Sequence, residues 1–292
     1  MEYSFPRYLL SKQSVDDRAL NRNVIEALRT HLPDGPIKII EVGAGMGNMV
    51  ARLLAWGVIT RANYTHVDSM EENIRYAREW IPKWAAGADL KIDRPEVDQI
   101  RIYDKKRDVQ IQLKCADLFN FISSKPAPAD LLIAHAFLDL LPMPDSLPKL
   151  LSLTKNLAWL TVNFDGVTSL EPAIDAALDE QIERLYHDSM DKRPTGGDSR
   201  AGRHLFAHLR TAKAQVLAAG ASDWVVHAVD GKYPDDEAYF LQFILHFFEE
   251  SLTGNPALNA VAFADWLLRR REQIDRGELV YIAHQMDFLA KI

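Results

Sequence analysis

The chain has almost no cysteine. Cys115 stands alone among 292 residues, so no disulfide can form within the chain, and a zinc knuckle built on paired thiolates is excluded. It falls in an alternating apolar–polar run, which reads as a buried, inert thiol. Long apolar runs are missing as well. No stretch approaches the roughly 18–20 residues that a membrane span needs, and "MEYSFPRYLLSKQ" lacks the apolar core of a secretory leader. No membrane association and a cytoplasmic location are expected. Positive charge is not in excess either: 34 Lys and Arg face 41 Asp and Glu, a net charge of −7. That argues against a general binder of phosphate backbones, which carries a basic face. The clusters Lys105-Lys106-Arg107 and Arg269-Arg270-Arg271 read as solvated charges on a loop and a helix face. Metal-ligand spacing is absent. Asp16-Asp17 and Asp235-Asp236 are adjacent pairs whose side chains should diverge on regular structure, so no metal is expected.

What is present is an alternation of strand and helix patterns. Ser14 to Leu32 reads as one helix, capped by Ser14 and with Leu20, Val24, Leu28 and Leu32 on one face. Ile37 to Val42 is a first strand and Asn48 to Trp56 its helix. Tyr64 to Val67 is a second strand, and the next helix is capped by Ser69 with Glu72 completing the box. "IRIYDKKRDVQIQL" reads as a hairpin turning near Asp104–Asp108. Leu131 to Ala134 is apolar throughout, as a strand buried on both faces would be, and Ala158 to Phe164 is a fifth strand. The second half is more helical, with helices over Leu170–Met190 and Ser199–Ala219. A strand from Trp224 to Val229 follows, and a last one from Leu279 to about Phe288. Strands alternating with helices imply a doubly wound, mostly parallel sheet.

The stretch "IKIIEVGAGMGNMV" carries the chemistry. Strand, glycine turn and helix follow one another, and a ligand can lie against backbone only where side chains are absent. The spacing is Gly43-x-Gly45-x-Gly47, with Glu41 two residues before. A dinucleotide turn is spaced Gly-x-Gly-x-x-Gly, and a phosphate-cradling Walker loop needs a Gly-Lys-Ser/Thr that is not here.

Glu41-x-Gly43-x-Gly45-x-Gly47 resembles the first motif of the Rossmann-like (class I) S-adenosylmethionine-dependent methyltransferases. The resemblance covers roughly residues 37–165. It places Asp68, at the end of the second strand, on the ribose hydroxyls, with Ser69 beside it and Met70 against the adenine. "KCADLFNF" puts Asp117 and Leu118 at the adenine amino group, and "LLIAHAFLDLLP" puts Ala134 and His135 beside the methionine part. Ala44 lies within the turn itself. The family implies a seven-stranded sheet whose last strand is antiparallel, and S-adenosylmethionine as cofactor. The site's acids suit a ligand that carries a sulfonium and an ammonium but no phosphate. The implied organisation is one domain over 1–292. It comprises an N-terminal helical segment (1–36), a cofactor-binding core (37–165), helical cap insertions (166–200 and 230–277), and segments that complete the sheet (201–229 and 278–292).

Methyl transfer from a sulfonium is an in-line displacement in which the protein aligns the partners and excludes water. A general base helps only when the acceptor arrives protonated. His135, oriented by Asp139, is the candidate; backbone contact alone is the alternative. "AHAF" stands where methyltransferases of nucleic-acid bases carry Asn/Asp-Pro-Pro-Tyr/Phe, so nucleic acid is disfavoured and a small-molecule acceptor is expected, methylated on oxygen or nitrogen. "KRPTGGDSRAGRHLF" could receive an acceptor anion through Arg200 or Arg203. The N-terminal helix could fold over the cofactor with Arg18 inward. Phe240, Phe243, Ile244, Phe247 and Phe248 read as core, the alternatives being a substrate wall or a homodimer face; His246 reads as a satisfied core histidine. The rival functions are a non-catalytic cofactor-binding subunit and an NAD(P)-dependent oxidoreductase.

Overall fold

The computed structural model describes residues 3–194 and 196–292. Three helices come first, α1 (Phe5–Ser11), α2 (Gln13–Ala19) and α3 (Arg22–His31). Strand β1 (Ile37–Val42) then leads through the glycine turn into α4 (Asn48–Ala55). There follow β2 (Arg61–Asp68), α5 (Glu71–Gly87), β3 (Lys91–Asp93), β4 (Gln99–Tyr103), β5 (Asp108–Cys115), α6 (Leu118–Ser123) and β6 (Ala129–His135). A 3₁₀ turn over Leu138–Leu140 precedes α7 (Met143–Leu151) and the long strand β7 (Thr154–Glu171). The second half holds α8 (Ala176–Asp191), α9 (Ala201–Thr211), β8 (Gln215–Ala221), β9 (Trp224–Val226), α10 (Glu237–Leu252), α11 (Ala260–Asp275) and β10 (Val280–Lys291).

All ten strands join one sheet in the order β3-β4-β5-β2-β1-β6-β7-β10-β8, with β9 beside the first half of β10. From β5 to β7 the strands are parallel, and β10 is antiparallel to its neighbours β7, β8 and β9. Ten strands lie among the described residues, not the expected seven: the strand expected over Trp224–Val229 shrinks to β9 (Trp224–Val226), and β3, the hairpin arm β4 and β8 come in addition. Central strands are apolar on both faces: Ile39 and Ile133 pack into one core, Ile40 and Leu132 into the other. The chain runs outward from β1 to β5 and returns to β6 on the other side of β1. That reversal opens a crevice at the carboxyl ends of β1 and β6.

Several sequence expectations change. The helix expected over Ser14–Leu32 is broken at Leu20, which leaves the helical region (φ −50°, ψ 125°). Asn21 starts a new helix by accepting from the Val24 N–H, and Ser14 donates to Glu237 instead of capping. Glu171 still belongs to β7, so α8 starts later than expected, behind the Asp175 cap. The helix expected to reach Ala219 ends at Thr211, and Gln215–Ala221 pairs with β10 instead; a sheet edge seeking a partner outweighs helix propensity in "QVLAAGA". Cys115 is exposed, not buried. Arg270, expected in solvent, is fully buried, with its guanidinium on Asp179 (2.6 Å) and on the Pro172 carbonyl.

The aromatic face of α10 is core, with Phe240, Phe243 and Phe248 buried. Tyr8 of α1 packs on it, its ring centroid 4.6 Å from that of Phe243. His246 is half-buried, stacked on Tyr3 and paired with Glu250. Arg18 does not point toward the crevice; it grips the buried Glu237 of α10 through two bonds of 2.6 and 2.9 Å. The first two helices are thereby clamped across the mouth of the sheet.

Candidate functional site

The glycine turn needs glycine for two different reasons. Gly43 has φ +61°, in the left-handed region, and a Cβ there would lie 2.6 Å from the Phe137 ring. Gly47, at φ +90°, caps α4, and a Cβ there would meet Ile81 at 2.6 Å. The first glycine lets Phe137 lie on the turn; the last lets α5 pack against it. Between them the Gly45 N–H donates to Asp68 Oδ2 (2.8 Å), and the Gly45 carbonyl accepts from His66 (3.0 Å).

Beside the turn lies a cavity of about 320 Å³ at the carboxyl ends of β1, β2, β5 and β6. Of the expected site residues, Glu41, Gly43, Ala44, Gly45, Asp68, Ser69, Met70, Asp117, Leu118 and His135 all line it. Four do not. Gly47 faces the α5 packing. Ala134 is fully buried in the core between strands, and Ala136 and Phe137 reach the cavity instead. Arg203 is spent on Asp165, donating to Oδ1 at 2.8 Å and to its carbonyl at 2.9 Å. Arg200 lies against Gly166, beside a separate surface pocket. The adjoining glycines pack the loop, Gly196 against Pro142 and Gly197 against the Met190 carbonyl. They form no part of the cavity wall.

Asp68 is buried and already accepts three hydrogen bonds. Oδ1 takes the Met70 N–H and the Asn73 amide, and Oδ2 takes the Gly45 N–H. A carboxylate offers about four such positions, so one remains. Asn73 lines the cavity, is 2% exposed, and its Oδ1 has no partner. One lone-pair position on Asp68 and the Oδ1 of Asn73 are thus the unused acceptors on this side of the cavity. Asp117 caps α6 through Oδ1, which accepts from Phe119 and Asn120.

Glu41 sits at the end of β1, 2% exposed, accepting from the Tyr64 hydroxyl at 2.6 Å. Burial pushes its carboxyl up to about 8, and the Tyr64 bond and the Arg52 charge only partly oppose this. Near neutral pH this burial favours the protonated carboxyl.

His135 is not held by Asp139. Its Nε2 lies 3.0 Å from Asp16 Oδ2 and its Nδ1 2.7 Å from the Thr161 hydroxyl. Burial holds the ring down at about 4, so it is neutral; Nε2–H donates to Asp16, and Nδ1 accepts from Thr161. Neither nitrogen is free to take a proton from an acceptor, which removes the support for a general-base role. Asp16 itself is fully buried. Burial alone would raise its carboxyl, but Lys12, His135 and Arg52 together hold it well below the usual carboxylate range. Arg52 binds both Asp16 and Asp17, so the adjacent pair expected to diverge converges on one guanidinium.

Sequence reasoning missed Lys12, Asp16, Arg52 and Asn73. Two signals were available: Lys12 and Asp16 are spaced four apart, and Arg52 interrupts the apolar run "MVARLLA" on a helix that faces the core. Among the described residues, no group of acids, histidines or cysteine could hold a metal ion, and no helix is long and apolar enough to cross a membrane.

No protein-family model matches the sequence, and no curated protein matches it. Solved structures with a similar chain trace include a SAM-dependent methyltransferase from Thiobacillus denitrificans in complex with S-adenosyl-L-homocysteine. It is 10% identical, with 99% of each chain covered and a TM-score of 0.46. A cyclopropane synthase from Mycobacterium tuberculosis is 8% identical, covering 92% of this chain and 83% of its own, at a TM-score of 0.45. A geranyl diphosphate methyltransferase in complex with SAM is 9% identical, covering 91% and 83%, at 0.40. These likenesses are distant, and the chemistry of this chain rests on its own residues.

Proposed function

We propose that the protein is an enzyme that binds S-adenosylmethionine in this cavity and transfers its methyl group to oxygen or nitrogen of a small-molecule acceptor. The observation that carries this reading is the cavity's donor set. Acids stand at the ends of three strands around a glycine turn, and an orphaned amide oxygen, Asn73 Oδ1, lies beside the middle acid. Such a set suits a ribose diol and a cationic tail, and it suits a pyrophosphate poorly. When bound, the cofactor supplies a methyl group already activated on a sulfonium.

The residues have distinct tasks. Asp68 and Asn73 divide the ribose hydroxyls, and the Oδ2 of Asp117 accepts from the adenine amino group while Oδ1 keeps its cap. Met70 and Leu118 border the ring. Glu41 gives up its proton as the cationic end arrives. Phe5, Leu9, Phe137, Leu140 and Leu141 form an apolar wall that excludes water and aligns the acceptor. With His135 engaged at both nitrogens, alignment carries the rate, and an acceptor proton leaves to solvent. The near-absence of cysteine and the acidic balance suit a cytoplasmic enzyme acting on metabolites.

Calorimetric titration with S-adenosylhomocysteine, and with NAD in parallel, tests the reading. Micromolar binding of the nucleoside is expected, weakened about tenfold or more in both Asp68→Ala and Asn73→Leu, with NAD silent. Binding of NAD alone would overturn it.

A further inference from the structure

One wall of the cavity carries a cation that the diol and adenine groups leave unused. Lys12, between α1 and α2, lines the cavity with its side chain only 9% exposed. Its one ionic contact among the described residues is Asp16, with Nζ 3.3 Å from Oδ2. That is long for a charge-assisted hydrogen bond. The same oxygen already receives His135 at 3.0 Å and Arg52 at 3.3 Å. The other oxygen of Asp16 receives the Trp224 indole N–H at 2.9 Å. Arg52 spends its Nε on Asp17 and its Nη2 on Asp16 and the Gln13 carbonyl. The ammonium of Lys12 has three donors and a share of one crowded oxygen. Its remaining neighbour is the Trp224 ring, 5.4 Å from Nζ to the ring centroid, which adds no hydrogen-bond acceptor; Phe5, Leu9 and Phe137 line the same cavity. A cation this buried and this poorly paired is costly unless an anion joins it.

We propose that Lys12 is the receptor for a ligand carboxylate in this cavity. The carboxylate belongs either to the amino-acid end of the cofactor or to the acceptor, and the lysine's flexible stem reaches both. The inference rests on the same cavity as the proposed function but not on the identity of the nucleoside. It gives the clamped N-terminal helices a direct part in ligand selection.

The test uses full-length wild type, Lys12→Gln and Lys12→Arg in calorimetric titrations. The probes are S-adenosylhomocysteine and 5′-methylthioadenosine, which keeps the nucleoside and thioether but lacks the amino-acid end. Phenylacetate and its neutral isostere phenylacetamide are titrated with and without the nucleoside. If the cofactor brings the carboxylate, Lys12→Gln weakens S-adenosylhomocysteine about ten- to a hundredfold. It leaves 5′-methylthioadenosine unchanged, and Lys12→Arg restores binding. If the acceptor brings it, S-adenosylhomocysteine is unaffected, but wild type prefers phenylacetate about tenfold or more and Lys12→Gln loses the preference. The proposal is overturned if no carboxylate-dependent preference follows Lys12. It is also overturned if Lys12→Gln weakens all probes alike, with a lowered melting temperature. Wild type that ignores both nucleosides would sink the cofactor assignment and leave the phenylacetate comparison to decide the role of Lys12.

Discussion

Glu41 makes a quantitative prediction through its proton. In the folded chain its carboxyl titrates at about 8 because burial disfavours the charge; in the unfolded chain it returns to about 4.3. Between those values the native state holds a proton that the unfolded state has lost. Stability must therefore fall as pH rises through this window and level off above about 8. At about 1.4 kcal/mol per unit of pKa, the loss is of the order of 3–5 kcal/mol. Glu41→Gln keeps the shape and an acceptor for the Tyr64 hydroxyl, but it cannot ionise. The variant should match wild type near pH 5 and exceed it increasingly toward pH 8.5. With about 2–4 °C per kcal/mol, the melting temperatures should separate by roughly 6–20 °C. Urea unfolding of both proteins at half-unit steps of pH reads this directly. His66, Asp287 and the other titrating groups are common to both, so the difference isolates Glu41. Parallel curves from pH 5 to 8.5 would refute the argument and mean that Glu41 is ionised in the folded state.

Further outcomes follow from the neighbouring groups. His135 titrates near 4 when folded and near 6.5 when unfolded, so it costs stability as pH falls from 6.5 toward 4. His135→Ala should lose about 1–3 kcal/mol at pH 7.5 by leaving Asp16 short of a donor, with the gap closing in acid. Its pH–rate profile should keep the wild-type shape; disappearance of a limb would restore a base role. Gly43→Ala places a Cβ 2.6 Å from Phe137 at φ +61°, costing about 2–4 kcal/mol and binding of S-adenosylhomocysteine. Phe137→Ala in the same chain should relieve the clash and return part of the stability, and no recovery would count against the packing explanation.

The parts that sequence revealed were those written in short-range pattern. Ile37–Val42, the glycine turn and the acid at Asp68 depend on residues within one strand–turn–helix unit, so their order and spacing sufficed. The hairpin arm Gln99–Tyr103 was legible by alternation. Misses came where distant partners decide. "QVLAAGA" reads as helix until β10 offers an edge, and Ser14 reads as a cap until Glu237 takes its hydroxyl. Arg200 and Arg203 looked like anion receptors because the glycine pair beside them looked flexible, whereas Asp165 already holds Arg203. The Lys12–Asp16–Arg52–His135 network joins three separate stretches of chain, and of its members only His135 had been assigned to the site. Asn73 carried none, since an asparagine in the first turn of a helix is ordinary.

The clamp between the first helices and α10 also sets a timetable. Ser4 bonds Tyr239 and Arg18 bonds Glu237, partners more than two hundred residues apart in the chain. On the ribosome, the glycine turn, Asp68 and the Arg52 and His135 partners of Asp16 emerge early, while the Tyr239 and Glu237 ends of the clamp are missing until α10 has been made. Loop closure of that length is slow to reward. A nascent chain would thus expose Phe5, Leu9 and Tyr8 for most of synthesis. The same arrangement ties the finished cavity to the synthesis of α10, because a chain broken before α10 would lack the clamp on the helices that wall it.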